Sequence, residues 1–116
     1  MASNKIKYTI DNKYVLYSDK ALELIKFFFK TEMSNFVLID EYKKNSGYWG
    51  IKYNNDKYVI FISSGRGYLE YEILFHENVI KLQEVEPLLN LIKLSSENNI
   101  KILLNTIKAY IYKESL

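Results

Sequence analysis

Between Phe36 and Phe75 the chain passes through four runs rich in aromatic and β-branched residues: Phe36–Tyr42, Tyr48–Tyr53, Tyr58–Ser64 and Tyr68–Phe75. Only short clusters of turn formers separate them: Lys43–Gly47, Asn54–Lys57 and Gly65-Arg66-Gly67. A parallel pair of strands needs a crossover of a dozen or more residues, and none of these connections has room for one. Neighbouring strands must therefore run antiparallel, in the order of the chain, as a meander. His76-Glu77-Asn78 reads as one more turn, after which Val79–Leu82 is expected as a short fifth strand.

Alternation assigns the faces. In Tyr68–Phe75, Leu69, Tyr71, Ile73 and Phe75 share one side, and Tyr68, Glu70, Glu72 and Leu74 share the other. Ionised glutamates are costly to bury without partners, so their side should face water. Trp49, Ile51 and Tyr53 likewise oppose Tyr48 and Lys52. One packed face needs a cover, and the flanking segments supply it. Ala21, Leu22, Leu24, Ile25, Phe28 and Phe29 recur at helical spacing up to about Thr31, with Ser18 placed to cap the helix and Asp19 in its first turn. Ile100, Leu103, Leu104, Ile107 and Ile111 form a second stripe behind a cap at Ser96. Pro87 suits the first turn of a helix reaching roughly to Ser95. At the amino end, Ile6–Ile10 and Tyr14–Tyr17 read as short strands about a turn at Asp11-Asn12. The expected class is α+β, an antiparallel meander of four to five strands packed on one face by an N-terminal helix and C-terminal helices.

The 116 residues suit a single domain spanning 1–116, with no repeat, linker or low-complexity tract to divide it. No apolar run approaches the length of a membrane span, and the first residues lack the apolar block of a secretion signal, so a cytoplasmic location is expected. Absence of cysteine removes disulfides, thiolate nucleophiles and thiolate metal ligands together. The net charge is only +2, from 16 cationic and 14 acidic residues, which argues against a dedicated duplex-binding domain. Its distribution is uneven. Residues 66–97 hold Arg66, Lys81 and Lys93 against Glu70, Glu72, Glu77, Glu84, Glu86 and Glu97, an acidic stretch that suits steering toward a basic partner.

Chemistry-bearing residues are few. His76 is the only histidine, and a general base needs a neighbouring nucleophile and an orienting group. Ser63 and Ser64 lie outside any nucleophile-elbow pattern. One histidine without cysteine leaves a closed zinc site short of ligands, so neither metal nor cofactor is expected. Glu70 and Glu72 project from one strand face about 6–7 Å apart, near the separation of a glycosidase pair, but i, i+2 acids are common on solvated strands. Gly65-Arg66-Gly67 lacks the spacing and following helix of a phosphate loop and reads as a hairpin tip. Arg66 is the sole arginine beside fifteen lysines, its planar fork suited to a carboxylate or phosphate. Tyr42, Tyr48, Trp49, Tyr53 and Tyr58, interleaved with Lys43, Lys44, Lys52 and Lys57, suit either a protein interface or stacking on single-stranded nucleic acid. Half of those rings should belong to the core.

The order of helix, meander with the hairpin Val59-Ile-Phe-Ile-Ser-Ser-Gly-Arg-Gly-Tyr-Leu-Glu-Tyr-Glu-Ile73, Pro-containing segment and terminal amphipathic helix resembles the small immunity proteins of bacterial polymorphic and contact-dependent toxin systems. The resemblance covers most of the chain. It implies a non-enzymatic inhibitor that binds one cognate toxin domain, such as a nuclease, in the producing cell's cytoplasm. Such families carry no shared catalytic residues. The expected partner-binding residues are Arg66, Tyr68, Glu70, Glu72 and Tyr48, with a single-stranded nucleic-acid module as the alternative.

Overall fold

The computed structural model describes residues 8–114. Helix α1 (Ser18–Glu32) leads into five strands, β1 (Val37–Lys43), β2 (Trp49–Asn54), β3 (Tyr58–Gly65), β4 (Tyr68–Phe75) and β5 (Asn78–Ile80). A short helix α2 (Leu82–Val85), a 3₁₀ turn (Pro87–Leu91) and helix α3 (Glu97–Glu114) follow. The strands form one antiparallel sheet in the order β1-β2-β3-β4-β5, so the α+β meander inferred from turn length is the architecture observed.

The core lies between one sheet face and the helices. Trp49, Ile51 and Tyr53 of β2, Tyr58, Ile60 and Ile62 of β3, and Leu69 and Ile73 of β4 are buried against Ala21, Leu22, Ile25 and Phe29 of α1. The α3 stripe is buried throughout, and Ile102 joins it. Phe29 stacks on Tyr53 with ring centroids 3.9 Å apart. Burial there, with the Glu41 carboxylate adding to it, pushes the Tyr53 phenol up to about 12. Burial raises Tyr71 in the same direction. Between the usual tyrosine range and about pH 12 the unfolded chain has given up a proton that the folded chain keeps at Tyr53, so stability falls as pH rises through that window. Urea midpoints at about pH 9 and about pH 11.5 should show this loss, and Tyr53→Phe should reduce it; an unchanged difference in the variant would refute the assignment.

Two hairpins use two-residue tips with positive φ at both positions. Arg66 (φ 55°) and Gly67 (φ 84°) join β3 to β4, and His76 (φ 48°) and Glu77 (φ 72°) join β4 to β5. Gly65 belongs to β3, so only one of the two flanking glycines serves the left-handed region.

Several local expectations are corrected. Of the strand expected at Ile6–Ile10, residues 6 and 7 lie outside the described residues, and Tyr8–Ile10 is not sheet. Tyr14–Tyr17 is an arm, not a strand. Asp11 Oδ1 accepts from the backbone N–H groups of Lys13 and Tyr14, and Leu16 N–H donates to the Ser95 carbonyl, so these backbone groups bond outside any ladder. Ser18 does not cap α1; Tyr17 occupies the cap position, and the Ser18 hydroxyl donates to the Gly47 carbonyl at 3.3 Å. Ser96 does cap α3, accepting from Asn99 N–H at 3.1 Å. The helix expected from Pro87 to Ser95 stops at Leu91, because Asn12 Oδ1 captures the N–H groups of Lys93 and Leu94 while Leu94 bridges to Tyr68. The fifth strand is shifted to Asn78–Ile80, and Leu82 turns inward to open α2.

One polar knot ties the arm and the start of α3 to the hairpin. Asn99 is fully buried; its Oδ1 accepts from Asp11 N–H (3.0 Å), and its Nδ2 lies 2.8 Å from Asp11 O, 3.0 Å from Asn12 Oδ1 and 2.9 Å from Leu94 O. Beside it the hydroxyls of Ser64 and Ser95 are 2.8 Å apart, and Ser95 N–H donates to the Gly67 carbonyl. The arm, the β3–β4 hairpin and the start of α3 are fastened at one point.

Candidate functional site: the open sheet face

The helices leave the second face of the sheet uncovered, and the strand register arranges it in cross-strand rows. At one end Tyr48, just before β2, lies opposite Gly65 and beside Tyr68. The next row holds Tyr42, Gly50, Ser63 and Glu70, and the third holds Asp40, Lys52, Phe61 and Glu72. The far row holds Val37, Asn54, Val59, Leu74 and Val79. A tyrosine end, a charged middle and an aliphatic end follow one another across the face. The β4 acids expected to face solvent are exposed, as is Tyr68.

Two tyrosines are laid flat by two glycines. A Cβ on Gly50 would stand 2.3 Å from the Tyr42 ring, and one on Gly65 would stand 3.3 Å from the Tyr48 ring. Each ring thus occupies the space that its cross-strand neighbour leaves vacant, an arrangement that restores packing over a strand glycine. Arg66 Nε donates to the Tyr48 hydroxyl at 3.3 Å, joining the hairpin tip to the same ring. Lys44 Nζ sits 5.7 Å from the Tyr42 ring centroid and Lys52 Nζ 5.6 Å from that of Phe61. Of the five aromatics weighed from the sequence, Trp49, Tyr53 and Tyr58 belong to the core, while Tyr42 and Tyr48 belong to this face. Lys43 turns to the helix side, where it pairs with Asp19 of α1.

All five residues expected to bind a partner, Arg66, Tyr68, Glu70, Glu72 and Tyr48, fall on this face or its hairpin tip. Among the described residues, Glu70 and Glu72 make no ion pair or side-chain hydrogen bond. Two further aromatics were missed. Tyr14 and Tyr17 are 74% and 83% exposed, on the arm whose Val15 meets Gly67 and whose neighbour Ser18 meets Gly47. Their reading as strand residues concealed them, and the Asp11-Asn12 pair that anchors the arm was the available signal.

The groups considered for chemistry are far apart. His76 follows Phe75, which pairs with Tyr58, whereas Ser63 lies five residues along β3, about 17 Å away by strand rise. The Ser64 hydroxyl is engaged by Ser95, and the His76 ring leans edge-on to Phe75. Among the described residues no group of three or more His, Cys, Asp or Glu could hold a metal ion. No helix among them is long and apolar enough to cross a membrane. In comparisons with known proteins, no family model, curated protein or solved structure matches this chain.

Proposed function

We propose that this chain is a non-enzymatic protein-binding inhibitor of the immunity-protein kind, which neutralises a cognate bacterial toxin by laying its open sheet face over the toxin's active surface. The observation that carries the reading is the Tyr48–Arg66–Tyr68 cluster set beside Glu70 and Glu72. Two tyrosines and an arginine are the residue types that anchor protein interfaces, and Tyr48 is already held in place by Gly65 and Arg66. Among the described residues the adjoining glutamates pair with no cation. Against a nuclease, whose substrate groove is basic, they would occupy positions that phosphates take. Charge would speed encounter, and the buried rings would slow dissociation.

Purified complex with a toxin domain from the same cytoplasm tests this. Glu70→Lys with Glu72→Lys is expected to weaken binding by about 100-fold at low salt, and by less as salt is raised, with unchanged circular dichroism and thermal midpoint. Unaltered affinity in the double variant would remove these residues from the interface, and no growth rescue by the wild-type chain against any such domain would overturn the reading. The alternative, single-stranded nucleic acid held by Lys44, Lys52 and exposed rings, requires measurable oligonucleotide affinity at low salt that falls steeply as salt is added. The acids interspersed through the same rows oppose it.

A further inference from the structure

Strand β1 is an edge of the sheet, and all seven of its residues are exposed. An edge of this kind presents unpaired N–H and C=O groups to any strand that approaches. The structure says which ones. Lys44 N–H donates inward to the Tyr48 carbonyl, so alternation turns the backbone groups of Lys43 and Glu41 outward and those of Tyr42 inward. A groove of about 390 Å³ lies between α1 and this edge, lined by Asp19 and Lys26 from the helix and by Glu41 and Lys43 from the strand.

Charges on an edge ordinarily block pairing, and so does a bulge. Here the irregularity lies between Leu38 and Asp40, which leaves Asp40 to Lys44 regular. Those five residues read Asp-Glu-Tyr-Lys-Lys, two negative charges and two positive ones placed symmetrically about Tyr42. The order is its own complement when reversed. From it we propose that β1 is a self-association site: a second copy pairs antiparallel with β1 about a two-fold axis at Tyr42, and the two sheets become one.

Register selection follows from hydrogen bonding and charge. An added antiparallel strand must set outward-facing residues opposite one another, which over this stretch leaves three registers. One places Glu41 against Glu41 of the second copy, and another places Lys43 against Lys43, so both oppose like charges. The third pairs Glu41 with Lys43 of the second copy in the hydrogen-bonded positions and Asp40 with Lys44 beside them, each twice. On the helix side the new pairs would extend ion pairs already present, Lys26–Glu41 and Lys43–Asp19, into an alternating chain. On the open side Asp40 and Lys44 form no ion pair among the described residues, and Lys44 Nζ, 5.7 Å from the Tyr42 ring centroid, stands beside the proposed axis. The Tyr42 rings lean away from the axis, each over its own Gly50, and do not obstruct it. This inference does not rest on the inhibitor reading.

The test uses the intact chain. Sedimentation velocity from about 1 µM to about 500 µM should show the mass rising from 13.8 kDa toward twice that value. Asp40→Lys alone and Lys44→Asp alone should each raise the dissociation constant at least 10-fold. The double exchange Asp40→Lys with Lys44→Asp restores opposite charges and should return the constant to within about 3-fold of wild type, a recovery that general loss of structure would not produce. Because the chain has no cysteine, Tyr42→Cys supplies a single thiol. In the proposed register the two thiols face each other across a non-hydrogen-bonded pair, within disulfide reach, and should cross-link on mild oxidation faster than Tyr68→Cys. A monomer at every concentration, dimers indifferent to the single reversals, or equal cross-linking of both cysteines would overturn the proposal.

Discussion

Asn99→Leu is expected to lower stability by about 3–5 kcal/mol, read as a shift of the urea midpoint at constant slope. Leucine keeps the branched skeleton of asparagine, so the loss is chiefly polar, with some crowding from its bulkier methyl groups. Asn99 is fully buried, and its removal strands Asp11 N–H, Asp11 C=O and Leu94 C=O together. An orphaned group costs about 1–3 kcal/mol when buried, and these three, on the half-buried Asp11 and Leu94, cost less by whatever water recovers beside the arm. Asn99→Asp keeps the acceptor for Asp11 N–H but aims a carboxylate oxygen at three carbonyl oxygens, those of Asp11, Leu94 and the Asn12 side chain, so it should be nearly as damaging at neutral pH. A change below about 1 kcal/mol in Asn99→Leu would mean that the arm is fastened elsewhere.

Phe29→Ala should cost a similar amount, about 3–5 kcal/mol, by a different route. Phe29 is buried between α1 and the sheet, stacked on Tyr53 and edge-on to Phe28 and Phe36 at 6.3 and 5.8 Å. Deleting its ring leaves a cavity that neighbours on a fixed sheet cannot close. The same cavity admits water to the Tyr53 phenol, whose ionisation should then move back down from about 12 toward the ordinary tyrosine range. Spectrophotometric titration of the variant checks this separately from stability. Phe29→Leu, which fills most of the space, should lose far less; equal losses in the two variants would contradict a packing origin.

These two residues also mark what was legible in the sequence. Phe29 stands in a helical stripe with Leu22 and Ile25, and β4 alternates strictly, so core and solvent faces could be assigned from local periods of 3.6 and 2. Turn length fixed the antiparallel order, since no connection in the meander could hold a crossover. Asn99 gave no such signal, because its partners Asp11 and Asn12 lie more than 80 residues away. Other bonds between distant segments, Leu16 N–H to the Ser95 carbonyl and Asn12 Oδ1 to Lys93 and Leu94, hold Tyr14–Tyr17 outside the sheet and shorten the helix expected after Pro87. At the candidate site, Glu70, Glu72 and Tyr68 were placed by alternation alone. The seating of Tyr42 on Gly50 and Tyr48 on Gly65 depends on register between strands, which no single segment encodes.

The polar knot also bears on kinetics. Every strand of the meander pairs with its neighbour in sequence, whereas the knot closes a loop of 88 residues between Asp11 and Asn99. Closing so long a loop carries an entropic cost that adjacent hairpins avoid. Our hypothesis is that the sheet with α1 assembles first and the arm docks after the rate-limiting barrier. Asn99→Leu would then hasten unfolding while leaving the refolding rate nearly unchanged, and a slowed refolding limb in stopped-flow measurements would place the clasp within the folding nucleus instead.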